Sequence, residues 1–166
     1  MNIFYLHPDP QASAKMLCDK HIPKMLLESC QMLSTATQEL RGDDDNLYKK
    51  AYQKHPSTMW VSESIGNFSW LYKHAVEISK EYTKRYGKIH KSSRILTYIK
   101  RKYADMLGKS DYASAPPQCM PDKYKELGGL WHTSTAYKNY YIGEKSSFAK
   151  WEKGTPMPDW YERATQ

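Results

Sequence analysis

The stretch Cys18–Glu28 (CDKHIPKMLLE) gathers a histidine, two lysines and two acids around a proline, directly before a long apolar run. Proline is accepted in the first turn of an α-helix and disfavoured in its interior. We therefore expect a helix to begin at Pro23 and to carry Lys24 and Glu28 one turn apart on one face. His21 would lie just outside the helix start, where free backbone N–H groups attract anions and shift the pKa of nearby groups. The alternative interpretation is that the stretch forms only a kinked helical corner whose charged side chains are solvated.

The composition describes one polar globular domain. The chain has 166 residues, which is long enough for a hydrophobic core, and its mean hydropathy is -0.82. No apolar run approaches the roughly 18–20 residues of a membrane span, and the first residues lack the pattern of a signal peptide. The three cysteines form no CxxC pair, which is typical of a reducing compartment. We therefore expect a cytoplasmic protein that does not contact a membrane.

The charge balance favours an acidic partner. Lysine and arginine total 25 against 18 acids, a net charge of +7, and the chain also holds 14 tyrosines and five tryptophans. Cations bind phosphates and aromatic rings stack on exposed bases, so this composition suits a nucleic acid. Many basic proteins bind no nucleic acid, so composition alone leaves the partner open.

Hydrophobic periodicity predicts a mainly α fold, a single compact helical domain over residues 1–166 with about five helices and long loops. The apolar run 2–6 adds at most a short N-terminal strand or arm. Residues 108–132 predict a long loop and residues 154–166 a C-terminal tail. The expected helices cover residues 10–20, 23–40, 58–86, 94–107 and 134–142, with a possible short helix in 46–56.

The longest expected helix carries a polar face. With Ser57 as its N-cap, it would place Trp60, Asn67, His74 and Glu81 near one another at seven-residue intervals. A carboxylate there could orient a histidine as a general base, or the face could be a buried polar contact between helices. Gly66 in the same helix predicts close packing.

Familiar catalytic motifs are missing from the sequence. It contains no GxxxxGK[ST], GxGxxG, HExxH or GxSxG string, which argues against P-loop, Rossmann, zincin and hydrolase-elbow chemistry. None of the six histidines pairs with another histidine or a cysteine at metal-ligand spacing. We therefore expect no metal and no cofactor.

Two segments combine basic and aromatic residues. Residues 81–91 (EYTKRYGKIHK) hold four Lys or Arg, one His and two Tyr, and are the best candidate for phosphate binding. Cations at a helix end would also complement the helix dipole. Residues 145–153 are a second such segment. Between the two, Tyr137, Tyr140 and Tyr141 recur at helical spacing, either as a core stripe or as an aromatic groove.

Several strings carry a resemblance over nearly the whole chain. The sequence resembles a group of uncharacterised small phage-encoded proteins, and this resemblance implies a host-cytoplasm setting. The strings that carry it are CDKHIPKMLLESCQMLSTA, HPSTMWVSESIGNFSWL, EYTKRYGKIHK, MPDKYK and YKNYY with a later MPDWY. More distantly, the layout is similar to the phage pyrimidine-dimer DNA glycosylases, small helical enzymes that also have AP-lyase activity. In that family a short arm and a helix precede a turn of the form basic–acid–apolar–Pro–basic, which Lys20-His21-Ile22-Pro23-Lys24 matches in part. The family's later basic and aromatic strings resemble residues 84–88 and 137–141.

The resemblance implies DNA binding more directly than it implies a glycosylase mechanism. The family's catalytic acid is a glutamate within the pentad, where this chain has His21. Its nucleophile is the α-amino group exposed after Met1 is removed, and Asn2 is a poor context for that removal. Lys20 and Lys24 match the family's basic positions.

Three functions stay open from the sequence. The favoured one is a DNA-base-processing enzyme of glycosylase or lyase type acting on double-stranded DNA. The others are a phage enzyme that modifies DNA bases or nucleotides by group transfer, and a non-enzymatic nucleic-acid-binding or host-interaction protein. A convergent pocket would favour an enzyme, and a flat basic surface would favour the binding protein.

Specific residues are expected in the favoured function. His21 would serve as acid or base, Lys24 as a desolvated Schiff-base nucleophile, and Glu28 would orient one of them, with His55 in the same pocket. The expected DNA contacts are Lys20, Lys84, Arg85, Lys88, His90, Lys91, Tyr86, Trp60, Tyr137 and Tyr141.

Overall fold

The helix that contains the charged turn begins at His21 rather than at Pro23. In the computed structural model, which describes residues 1–166, it spans His21–Arg41. Pro23 occupies its first turn, where a missing N–H leaves no hydrogen bond unmade. The helix ends at Gly42, whose φ of 97° is accessible to glycine without strain.

Helices make up all the regular structure, which confirms the mainly α fold as a single compact domain. The seven α-helices exceed the expected five because one expected helix is broken and the C-terminal segment contains another. No helix is both long enough and apolar enough to cross a membrane. The helices are α1 Pro10–Met16, α2 His21–Arg41, α3 Pro56–Ser62, α4 Ile65–Tyr86, α5 Ser93–Lys102, α6 Leu130–Glu144 and α7 Asp159–Thr165.

The expected helix over 58–86 is wrong as one element, because two caps divide it into α3 and α4. His55, not Ser57, caps α3: its Nδ1 accepts a hydrogen bond from the Ser57 N–H at 3.1 Å. Ser64 caps α4, its hydroxyl accepting from the Asn67 N–H at 3.0 Å. The backbone of Ser64 is extended, as an N-cap requires, so the helix cannot continue through it.

Several other helix boundaries differ from the expected ones. α1 ends at Met16 instead of residue 20, and α5 ends at Lys102 before a short 3₁₀ turn at Ala104–Met106. The possible short helix in 46–56 is wrong, since residues 46–55 contain no helix and Pro56 begins α3. The long loop is shorter than expected, since α6 begins at Leu130.

α4 is the central helix, packed against α1, α2, α3 and α5. The close packing expected at Gly66 is confirmed, because a Cβ there would lie 2.8 Å from the backbone carbonyl carbon of Tyr112. Residues 1–7 form an arm without regular structure, and Ile3, Phe4, Tyr5 and Leu6 are all buried in the core. The arm therefore has a fixed course across the molecule.

Candidate active site and nucleic-acid interface

The arm brings the α-amino group of Met1 to the second turn of α2. The nitrogen lies 3.2 Å from Glu28 Oε1, and the Met1 and Glu28 side chains are only 2% and 15% exposed. The other carboxylate oxygen, Oε2, is buried and has no hydrogen-bond partner. A primary amine beside a largely enclosed carboxylate pairs a potential nucleophile with a group that can accept its proton.

The next residues of the arm hold this amine in place. Asn2 Nδ2 donates to the Cys119 carbonyl at 2.9 Å, and the Tyr137 hydroxyl donates to Asn2 Oδ1 at 2.8 Å. Phe4 has a φ of 54°, an uncommon conformation for a bulky residue, which redirects the arm into the core. Non-glycine backbone in this region is strained and concentrates at functional sites.

His55 is electrostatically coupled to the same pair. Burial lowers the pKa of His55 first, the charge of the N-terminal amine lowers it further, and Glu28 acts in the opposite direction. Because Nδ1 accepts the cap hydrogen bond of α3, the ring proton is assigned to Nε2. Met1 and Glu28 are in direct contact, and His55 is close enough for both charges to affect its pKa. We call these three residues the N-terminal cluster.

His21 lies on the same face of α2 as Lys24 and Glu28, but its role differs from the expected one. The ring is 3% exposed, and its Nδ1 lies 2.6 Å from the Tyr141 hydroxyl. Burial, followed by the ammonium groups of Lys145, Lys24 and Lys20, lowers the pKa of His21 to about 3. The expected acid or base role is therefore corrected: at neutral pH the ring carries no extra proton to give and binds one only in strong acid.

Three lysines surround His21, and two of them lie over aromatic rings. Lys20 Nζ is 4.9 Å from the Phe148 ring centre, and Lys145 Nζ is 4.7 Å from that of Tyr140. Lys24 is exposed, so the desolvation that would make a lysine a good nucleophile is missing. We call Lys20, Lys24 and Lys145 the basic rim.

The segment 81–91 lies beside the start of α2. Tyr82 and Tyr86 stack with ring centres 5.0 Å apart, and Tyr82 meets His90 edge-on at 4.8 Å. The Tyr86 hydroxyl donates to the Asp19 carbonyl at 2.7 Å, and Lys153 lies 5.2 Å from the Tyr86 ring centre. Lys84, Lys88 and Lys91 are exposed and free to meet phosphates. This segment combines a half-buried aromatic pair with exposed cations.

The expected phosphate contact at Arg85 is wrong, because Arg85 is a buried structural residue. Its guanidinium is fully buried between Asp19 and Glu81, at 3.2 and 2.9 Å, and donates to the Leu17 carbonyl at 2.7 Å. The same Glu81 oxygen accepts from the Thr155 hydroxyl at 2.7 Å. A general-base pair of His74 with Glu81 is likewise wrong, since His74 Nδ1 lies 3.0 Å from the Pro10 carbonyl instead.

Three expected DNA contacts are core residues. Trp60 is 3% exposed and its indole N–H donates to Ser114 at 3.0 Å, while Tyr137 and Tyr141 are fully buried. Burying such large rings removes apolar area from water, and this gain outweighs the cost of burying the indole N–H and the two hydroxyls once those groups are hydrogen-bonded. None of the three has a free ring face for a base.

Two features of the site were not predicted from the residues. The family resemblance pointed to an N-terminal amine, but its contact with Glu28 depends on the course of the arm and gives no local sequence signal. Lys145 belongs to the basic-aromatic segment 145–153, which was the only sign of it. No group of three or more His, Cys, Asp or Glu side chains is arranged to hold a metal ion.

Comparison with known proteins gives one finding. Residues 1–94 match the family model described as pyrimidine dimer DNA glycosylase. These residues include the whole N-terminal cluster, Lys20, Lys24 and helices α1–α4. No curated protein and no solved structure matches the chain.

Proposed function

The chain belongs to the pyrimidine dimer DNA glycosylase family, and from this premise we propose that it is a DNA glycosylase with AP-lyase activity whose nucleophile is the α-amino group of Met1. The observation that carries the proposal is the 3.2 Å contact between this amine and the Glu28 carboxylate. Glu28 stands seven residues beyond His21, which occupies the acid's place in the family's pentad. We infer that Glu28 supplies the missing carboxylate from the next turns of the same helix face.

The α-amine suits this chemistry better than Lys24 does. α-Amino groups as a class hold their proton less tightly than lysine side chains. Glu28 accepts the proton that the ammonium loses. Lys24, which is exposed and lies one helical turn from Glu28, is left to bind phosphate.

The reaction then proceeds in balanced steps. The amine nitrogen attacks C1′ of the damaged nucleotide, and the C1′–N bond breaks with its electron pair leaving on the base, which takes up a proton. The sugar ring opens to an iminium joined to Met1. Loss of a proton from C2′ expels the 3′ phosphate by β-elimination, and water hydrolyses the iminium to regenerate the amine. Glu28 and the His55 Nε2–H are the groups near the amine that can move these protons.

The basic rim and the segment 81–91 would hold the distorted duplex. Enzymes that act on a base take it out of the stack and bind the DNA by its phosphates. The rim contributes its three ammoniums, and the stacked Tyr82 and Tyr86 offer an aromatic surface. The cations that we assign to phosphates are Lys20, Lys24, Lys145, Lys84, Lys88 and Lys91.

Borohydride trapping tests the proposal. Wild type, Glu28→Gln and Lys24→Ala would each be incubated with a duplex that contains an abasic site or a pyrimidine dimer, and reduced to fix the iminium. We expect a covalent adduct with wild type and with Lys24→Ala, and a rate of adduct formation that is lower by about 10²-fold or more in Glu28→Gln. Glu39→Gln, an exposed change on the same helix, is the matched control.

Two results would count against the proposal. Loss of the adduct in Lys24→Ala would move the nucleophile to that lysine. An absence of adduct in every variant, together with salt-sensitive DNA binding, would leave a group-transfer enzyme or a binding protein.

A further inference from the structure

A second basic surface lies apart from the N-terminal cluster and shares Lys84 with the segment 81–91. It is a groove of about 650 Å³ between α1, the end of α4, α6 and the segment 155–163, and none of the catalytic candidates lines it. We call it the C-terminal groove. Its cations are Lys15, Lys84, Lys138 and Arg163, and its apolar floor is formed by Met157 and Trp160.

The cations of this groove have no carboxylate partners. None of the four is in an ion pair, and Asp159 is the single acid among the lining residues. Elsewhere on the molecule, acids pair with basic side chains such as Arg41, Lys50 and Lys102. Four unpaired positive charges around one groove repel one another, and an anion in the groove would remove that repulsion.

Lys138 is the clearest sign that the groove takes a ligand. Its ammonium lies 5.7 Å from the ring centre of Trp160, and burial lowers the pKa of Lys138. The indole N–H of Trp160 is itself buried without an acceptor. A partly desolvated ammonium without a counter-ion costs free energy, which a bound anion would return.

We propose that the C-terminal groove binds the phosphate backbone of DNA at a distance from the damaged nucleotide, an inference that rests on the proposed function for the identity of its partner. The cations come from four separate elements, so they follow an extended anion better than they enclose a single small one. The apolar floor of Met157 and Trp160 suits the sugar and base faces of a nucleic acid strand. Lys15 and Lys84 lie within residues 1–94, which match the family model, and Lys138 and residues 155–163 lie outside them.

Fluorescence anisotropy over a series of salt concentrations tests the groove. The variant Lys15→Ala/Lys138→Met removes two groove cations, and methionine keeps the aliphatic stem of Lys138 against Trp160. Lys100→Ala/Arg101→Ala, on the exposed side of α5, is the matched control with the same change in net charge. We expect the groove variant to bind an undamaged duplex about ten-fold more weakly at low salt, with a log–log salt slope shallower by about 1.8, because two phosphate contacts are lost.

Three outcomes would overturn the groove proposal. The first is an unchanged salt slope in the groove variant, and the second is an equal loss of duplex affinity in the α5 control. The third is displacement of the duplex from wild type by polyglutamate at matched charge, which would indicate an acidic protein partner. Circular dichroism would establish that each variant is folded. The two proposals fail separately: a missing borohydride adduct with an intact groove effect rejects the enzyme alone, and an adduct without a groove effect rejects the groove alone.

Discussion

At the scale of single residues, two buried histidines link folding to pH. Burial lowers the pKa of His21 to about 3 and that of His74 to about 4. In the unfolded chain both return to an ordinary value near 6.5, so the unfolded state binds more protons between about pH 6.5 and pH 4. The stability of the fold therefore falls as the pH drops through this window.

His74 is suited to test this pH dependence of stability, because it takes no part in the proposed chemistry. Wild type should lose about 2 kcal/mol of unfolding free energy per buried histidine between pH 7 and pH 5. His74→Gln, which keeps a donor for the Pro10 carbonyl, should lose less over the same range, and His132→Gln, an exposed change, should behave as wild type. Urea unfolding at the two pH values measures this, and equal losses in wild type and His74→Gln would contradict it.

At the scale of elements, one ionic network joins α2, α4 and the C-terminal segment. Asp19, just before α2, accepts from Arg85 at 3.2 Å and from the Glu152 N–H at 2.7 Å, and its own N–H donates to the Lys150 carbonyl at 2.8 Å. The network thereby fixes the start of α2, which carries the basic rim, against residues 150–155.

Removal of the central cation tests this network. Arg85→Met leaves Asp19 and Glu81 buried without their cation, and should lower the unfolding free energy by about 3–5 kcal/mol. The adjacent Lys84→Met, on the exposed side, should change it by less than about 0.5 kcal/mol. Chemical denaturation measures both, and similar small effects for the two variants would show that Arg85 is not a structural residue.

The elements also show what the sequence can and cannot predict. α2 and the placing of Lys24 and Glu28 on one face follow from Pro23 and helical periodicity, but the sequence put His21 outside the helix, whereas it is the first residue of α2. The break between α3 and α4 does not follow from the sequence, because Ser64 resembles any polar residue on a helix surface until its side chain is seen to cap. Arg85 stands in a run of cations, and only the packing of three elements buries it.

At the scale of the whole molecule, the two halves of the chain meet at the proposed site. The N-terminal cluster lies within residues 1–94, which match the family. Lys145 and Phe148 of the second half lie against Phe4 and His21 of the first. The contacts of Lys145 and Phe148 join residues more than a hundred positions apart, and the Met1 amine reaches Glu28 only through the course of the arm, so neither is predictable from local sequence.

The position of the covalent adduct tests the central claim most directly. Protein trapped with borohydride on an abasic duplex would be digested with nuclease and protease, and the modified peptide identified by mass spectrometry, after the intact mass has established that Met1 is retained. We predict that the sugar remnant is attached to the α-nitrogen of Met1. Attachment to Lys24, or to any other side chain, would contradict the account.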